Sequence, residues 1–175
     1  MNIGIGLIGL GGIAQKVHIP DLLNAGHLTI VAICDIDPEA LESTRSKLGL
    51  SADRCFEDYR DLIACNEVDA VVIATPNHLH VEMALEAVAA GKSYCVEKPL
   101  GLCARETAPL VKATQEAGVK SMVCFSYRYK AAARMAREMI RRGDIGKIHH
   151  ISMQYLQTWG NEEADCPLVW RFRKE

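Results

Sequence analysis

Residues 3–14 read Ile3-Gly4-Ile5-Gly6-Leu7-Ile8-Gly9-Leu10-Gly11-Gly12-Ile13-Ala14, an apolar β-prone run that breaks into glycines and resumes as a helical pattern. Gly9-x-Gly11-x-x-Ala14 is a G-x-G-x-x-A loop lying directly after a strand and at the start of a helix, the context in which this pattern has meaning. The first glycine permits a tight turn, the second lets a pyrophosphate approach the backbone, and the small third residue lets helix and strand pack closely. Gly9, Gly11, Gly12, Ile13 and Ala14 are therefore candidate phosphate contacts. A helix N-terminus offers a phosphate free N–H groups and a partial positive charge, worth about 0.3 to 1 kcal/mol for an exposed charge and up to ~2 when partly buried.

Outward from this stretch, short apolar runs alternate with helical patterns, as in a parallel sheet wound by crossover helices. Strands are predicted at Ile3–Ile8, Leu28–Cys34, a short run at Cys55-Phe56, Asp69–Thr75, Ser93–Val96 and Ser121–Phe125. The 69–75 run is nearly continuous in small and β-branched residues, as expected for a central strand buried on both faces. Asp37-Pro38 starts a helix that stops at Gly49; further helices over about 77–90 and 104–117 stop at Gly91 and Gly118. The fold class that follows is α/β, a Rossmann-type doubly wound parallel sheet.

Asp35 ends the second strand, where a carboxylate accepts hydrogen bonds from an adenosine ribose and repels a 2′-phosphate. Ile36 supplies no compensating cation, so the reading is NAD, with NADP disfavoured. An ordinary strand-to-helix turn and a solvated acid are the bland alternatives. Gly91-Lys92-Ser93 resembles the end of a P-loop, but Glu86 stands where that pattern needs glycine, and the tripeptide leaves a helix instead of entering one.

Composition narrows the function classes. In 175 residues, 49% are apolar and 24% charged, the net charge is −2 and the pI is near 6.3, which excludes a strong basic field for nucleic acid or anionic lipid. Seven cysteines lie at irregular intervals with no C-x-x-C pair, so no zinc ribbon or redox dithiol is indicated; reduced thiols and a cytoplasmic setting are expected. The apolar N-terminus has its first Lys at position 16 and five glycines before it, unlike a secretion signal. No run approaches the roughly 20 apolar residues of a membrane span. No metal site is expected.

Two further motifs follow predicted strands. Thr75-Pro76-Asn77-His78-Leu79-His80 follows the fourth and Glu97-Lys98-Pro99 the fifth, on the sheet edge where open α/β sheets bind ligands. Each residue alone has a bland reading as a helix start, a capped histidine or a loop charge. With the glycine loop, Asp35, Ala90-Gly91-Lys92, Tyr127-Arg128 and Ile145-Gly146-Lys147-Ile148, the chain resembles the glucose-fructose oxidoreductase, inositol dehydrogenase and MocA family of sugar and polyol dehydrogenases over nearly its whole length.

The resemblance implies hydride transfer between NAD and a polyol or sugar hydroxyl. It implies that Thr75, Asn77 and His80 line the cofactor, that Glu97 lies near the nicotinamide ribose, and that Lys98 sits beside the reacting carbon and carries the chemistry. The family's proton-handling Asp and His, four residues apart, come shortly after a Trp-Arg pair. Here Trp170-Arg171 is present and that segment is not. His149 and His150 are read as ordinary strand residues.

The expectation is thus a dinucleotide-binding domain over 1–125, then the beginning of a truncated α+β domain over 126–175. The latter has a helix at about Ala131–Arg142 and a strand at Ile148–Leu156. A small-molecule substrate, no nucleic acid, no membrane and a homo-oligomer of the full-length protein are expected, and the 175 residues alone should be inactive. The rival reading is a non-catalytic dinucleotide-binding module or inactive fragment. An S-adenosylmethionine-binding Rossmann domain leaves Glu97-Lys98-Pro99 unexplained.

Overall fold

The computed structural model describes residues 2–157 and shows a six-stranded parallel sheet of order β3-β2-β1-β4-β5-β6. The strands are β1 (Ile3–Ile8), β2 (Leu28–Cys34), β3 (Cys55–Phe56), β4 (Ala70–Ile73), β5 (Ser93–Val96) and β6 (Ser121–Val123). The helices are α1 (Ile19–Asn24), α2 (Pro38–Leu48), α3 (Tyr59–Ala64), α4 (His80–Ala89), α5 (Ala104–Ala117) and α6 (Ala131–Arg142). Compact units are formed by Met1–Tyr129 and by Lys130–Glu175.

Burial follows from the two-residue period of a sheet covered on both faces. Ile5 and Leu7 of β1, Ile30 and Ile33 of β2 and Val72 of β4 pack with Leu10, Ala14, Ile19 and Leu41 on one side. Ile8, Val71, Ile73, Tyr94 and Val96 pack on the other with Leu62 of α3, Val81 and Ala84 of α4, and Leu110 of α5. Full burial of a residue such as Leu7, 0% exposed, contributes about 1.5 to 3 kcal/mol.

Local chemistry sets the helix limits. The Asp37 side chain accepts from the Glu39 and Ala40 amides before Pro38–Leu48, and Gly49 ends that helix in the left-handed conformation. Gly118 and Gly143 end α5 and α6 in the same way. Between the glycine loop and α1 the chain makes a π turn over Ala14–His18, with the Ile19 amide reaching Ala14 O. Pro20 follows, and its missing N–H removes a bond of the ordinary helical ladder, which explains a wider turn here.

Three strand ends fall inside the expected limits, since β4 stops at Ile73 short of Thr75, although the Ala74 amide still bonds Ile8 O at 2.8 Å. Asp69 is not in β4; its carboxylate accepts from the Gly4 amide at 2.7 Å, so it ties the strand's start to β1. Beyond Val123, the Cys124 amide still bonds Val96 O at 2.9 Å before the Phe125 amide turns back to Val123 O. The expected strand over Ile148–Leu156 is a correction. These residues are exposed and form no strand, because no described strand offers them a ladder, and an extended segment needs one. His149 and His150 are likewise exposed and outside any strand. Trp159, Trp170 and Arg171 lie outside the described residues.

His80 fastens two of the edge loops. Its ring is 0% exposed, with Nδ1 at 2.7 Å from Pro99 O and Nε2 at 3.0 Å from Thr75 O. Carbonyl oxygens only accept, so the ring nitrogen that carries the hydrogen donates to the carbonyl beside it. Replacing it with leucine removes this bridge between half-buried Thr75 and exposed Pro99, whose hydrogen bonds contribute about 0.5 to 1.5 kcal/mol each. His80→Leu is therefore expected to lower unfolding stability in urea by roughly 1 to 3 kcal/mol; a loss within about 0.5 kcal/mol, the range of an ordinary surface substitution, would contradict this role.

Candidate cofactor site at the carboxyl edge of the sheet

In a parallel sheet every strand points the same way, so the loops after β1, β2, β4, β5 and β6 emerge along one edge. The order reverses at β1, which pairs with β2 on one side and β4 on the other. A crevice at such a reversal is where open α/β sheets hold ligands.

Gly9 leaves β1 with φ +90°, and a Cβ there would lie 2.7 Å from Ala74 O. Only glycine fits this turn against the chain leaving β4. Its amide donates to Cys34 O at 2.9 Å. A Cβ built on Gly11 or Gly12 would meet nothing within 4 Å, so open space lies over the loop where helical residues begin, at 12. Ala14 is 0% exposed and packs into the core below. Its small side chain lets the helix come close, while Ile13 remains exposed at 41%.

Asp35 follows β2 and holds the loop from the side. One carboxylate oxygen accepts from the Leu10 amide at 2.6 Å and the other from the Asp37 amide at 3.0 Å. Each oxygen keeps a further lone pair for a hydroxyl donor. Ile36 beside it is 89% exposed. The cradle therefore suits a dinucleotide: an open N-terminal turn for phosphate and, alongside, a fixed carboxylate that makes no ion pair among the described residues.

Thr75 and Asn77, half-buried after β4, stand at the same edge. Thr75 Oγ1 is 3.5 Å from Met83 Sδ, and Asn77 opens a short 3-10 turn before α4. His80 was expected to line the cofactor. The structure instead places it beneath this edge, with both nitrogens spent on backbone carbonyls.

Glu97 follows β5, and its amide extends the ladder to Ile73 O. Glu97 Oε1 lies 2.9 Å from His18 Nε2, with the two side chains 14% and 13% exposed. The hydrogen bond to Glu97 holds the imidazole above its ordinary range against the opposing effect of burial. Burial pushes the Glu97 carboxyl up, but the bond to His18 and the imidazolium charge outweigh it, and the net shift is downward. The pair is an ion pair, and Glu97 Oε2 also accepts from the Lys98 amide at 3.2 Å. Lys98 is exposed at the mouth, so the described residues do not close a cleft around it.

Sequence reasoning missed His18, Cys95 and Cys124. Their meeting depends on the π turn and on strand register, neither of which leaves a motif. The Cys95 and Cys124 sulfurs are 3.2 Å apart.

Comparison with known proteins agrees with this geometry. Residues 3–125 match the Gfo/Idh/MocA model, described as an oxidoreductase family with an NAD-binding Rossmann fold. Levoglucosan dehydrogenase of Pseudarthrobacter phenanthrenivorans is 34% identical over 99% of this chain and 45% of its own length. The WlbA dehydrogenase of Bordetella pertussis, solved with NADH and UDP-GlcNAcA, superposes with a TM-score of 0.79 at 34% identity, covering 85% of this chain and 45% of that one. A scyllo-inositol dehydrogenase from Lactobacillus casei, solved with NAD(H) and scyllo-inositol, gives 0.78 at 27% identity over 83% and 43%. The chain thus spans somewhat less than half the length of these relatives. Among the described residues no helix is long and apolar enough to cross a membrane. With a glycine-loop cradle, an acid at the second strand and matching relatives across nearly the whole chain, the protein belongs to the Gfo/Idh/MocA family of NAD-binding oxidoreductases.

Proposed function

We propose that this chain is the cofactor-binding part of an NAD-dependent dehydrogenase that interconverts a hydroxyl and a carbonyl on a sugar or inositol-like polyol. The observation that supports this best is the emergence of the Gly9–Ala14 loop, Asp35, Thr75 and Glu97-Lys98 at the carboxyl ends of four adjacent strands. Relatives named levoglucosan dehydrogenase and inositol 2-dehydrogenase support this substrate class.

In this reading the amides of residues 11–13 receive the pyrophosphate, Asp35 receives the adenosine ribose hydroxyls, and Thr75 and Asn77 flank the cofactor. Glu97, fixed by His18, faces the nicotinamide ribose. The bound nicotinamide supplies a hydride acceptor. Lys98 places an ammonium beside the substrate oxygen, stabilising negative charge there as the hydroxyl proton leaves and the carbonyl forms. The base that takes that proton has no assigned residue among these 175. We further propose that residues 1–125 form the dinucleotide-binding domain and 126–175 the beginning of a substrate and oligomerisation domain.

Three outcomes are expected. First, fluorescence titration should show NADH binding more tightly than NADPH. Asp35→Ser with Ile36→Arg should move the ratio of dissociation constants toward NADPH by roughly 1.5 to 3 kcal/mol, about 10- to 150-fold; a native preference for NADPH would sink the role given to Asp35. Second, Lys98→Met in the enzyme containing this chain should lower kcat with a polyol by about 10²- to 10³-fold, the cost of removing one oxyanion-stabilising donor, and weaken NADH binding much less. An unchanged kcat would show that the ammonium is not at the reacting oxygen. Third, these 175 residues expressed alone should bind NADH without appreciable turnover, since lost acid-base catalysis costs about 10² to 10⁴. Polyol-dependent NAD reduction by them at ~1 s⁻¹ or more would place the missing base within residues 1–175.

A further inference from the structure

The His18–Glu97 pair does not stand alone. Cys95 and Glu97 are two residues apart along β5 and its extension, so they share a face of the sheet. Cys95 packs against the cluster that contains Ala14 and Ile19, which identifies that face as the one covered by the π turn and α1. Cys124, continuing β6 by the bond from its amide to Val96 O, lies beside them. One ring nitrogen of His18, a Glu97 oxygen and Cys124 Sγ all fall within 4.8 Å of one another, and Cys95 Sγ is 3.2 Å from Cys124 Sγ.

A tetrahedral zinc-class ion with bonds of 2.0 to 2.3 Å spans its ligands along edges of about 3.3 to 3.8 Å. The observed separations, 2.9 Å for nitrogen to oxygen and 3.2 Å for sulfur to sulfur, are slightly under those edges, and the longest in the triad, up to 4.8 Å, slightly over. Side-chain adjustments of about an ångström would bring the triad onto a common centre, with the Cys95 sulfur beside that of Cys124. The donors are one imidazole, one carboxylate and one or two thiols, a set that suits Zn²⁺, Co²⁺ or Cd²⁺ and disfavours Mg²⁺ or Ca²⁺, which take oxygen. All three residues of the triad are half-buried, so the group is partly desolvated yet reachable. They come from three separate chain segments, each held by the sheet or by the π turn.

We propose that His18, Glu97 and Cys124, with Cys95 as a further thiol ligand, form a site for a thiophilic divalent cation of the zinc class. Glu97 is shared with the cofactor site proposed above, so the two occupants compete for it, and metal binding is read on the protein free of dinucleotide. Binding deprotonates the ligating thiols and the His18 imidazolium and releases those protons to solvent; no oxidant or reductant takes part.

The test is Co²⁺ titration of the purified protein, held reduced by a phosphine, followed by thiolate-to-cobalt charge transfer and the visible bands of tetrahedral cobalt. The bands should saturate at one Co²⁺ per chain and disappear on adding Zn²⁺. Cys124→Ser should remove most of the charge-transfer intensity, and Cys95→Ser about half. Losing even an outer partner of a metal ligand costs 10- to 100-fold in affinity, so His18→Asn should weaken binding by at least about tenfold. Cys34→Ser, which alters a buried thiol on another strand, should change nothing. No thiolate–cobalt absorption at one equivalent would overturn the proposal. So would bands that persist in Cys124→Ser, or wild-type affinity in His18→Asn, a variant that keeps both thiols should Cys124→Ser fail to fold.

Discussion

β1 is hydrogen-bonded to β2 on one side and β4 on the other, and the chain winds outward from it in both directions. The site depends on this reversal. Crossovers between parallel strands are right-handed, so the two halves of the winding place their helices on opposite faces and leave an unfilled crevice at the carboxyl ends of β1 and β4. The glycine loop enters that crevice because it follows β1, and Asp35 and Thr75 border it because they follow the strands on either side. No long-range recognition among these loops is needed.

What the sheet does not supply is rigidity at its edge, and polar contacts provide that. Asp35 bonds the Leu10 and Asp37 amides, so the carboxylate read as a ribose partner also holds the phosphate loop. His80 joins the chain after β4 to the chain after β5 through Thr75 and Pro99. His18 and Glu97 join the first helical turn to the β5 edge through an ion pair that is largely desolvated. Desolvation offsets much of the attraction in such a pair, but loss of either partner leaves an uncompensated, largely buried charge.

Much of the fold was legible in the sequence because its signals are local. Continuous apolar runs mark strands covered on both faces; Asp37-Pro38 and Gly49 bracket a helix; Gly9 needs its positive φ. The strand over Ile148–Leu156 was misread for the same reason: alternating residues give strand propensity, but a strand forms only where another offers a ladder. Of the candidate site, the glycine loop and the acid after the second strand were legible as a spaced motif. His80 was placed in the right region with the wrong surroundings, since spacing does not tell a ring that faces a ligand from one that braces the backbone below. The grouping of His18, Cys95 and Cys124 had no sequence signal. It follows from a π turn before Pro20 and from the register of β5 with β6, which only coordinates reveal.

The central claim is that a dinucleotide lies along this edge with its phosphates on the first loop. Titrating the ¹⁵N-labelled protein with NADH and following backbone amide resonances tests it residue by residue. Gly11, Gly12 and Ile13 should shift most, with Ile36, Asn77 and Glu97 next, and amides at the opposite ends of the strands should stay in place. Shifts confined to other surfaces, or an undisturbed glycine loop at saturating NADH, would contradict the account.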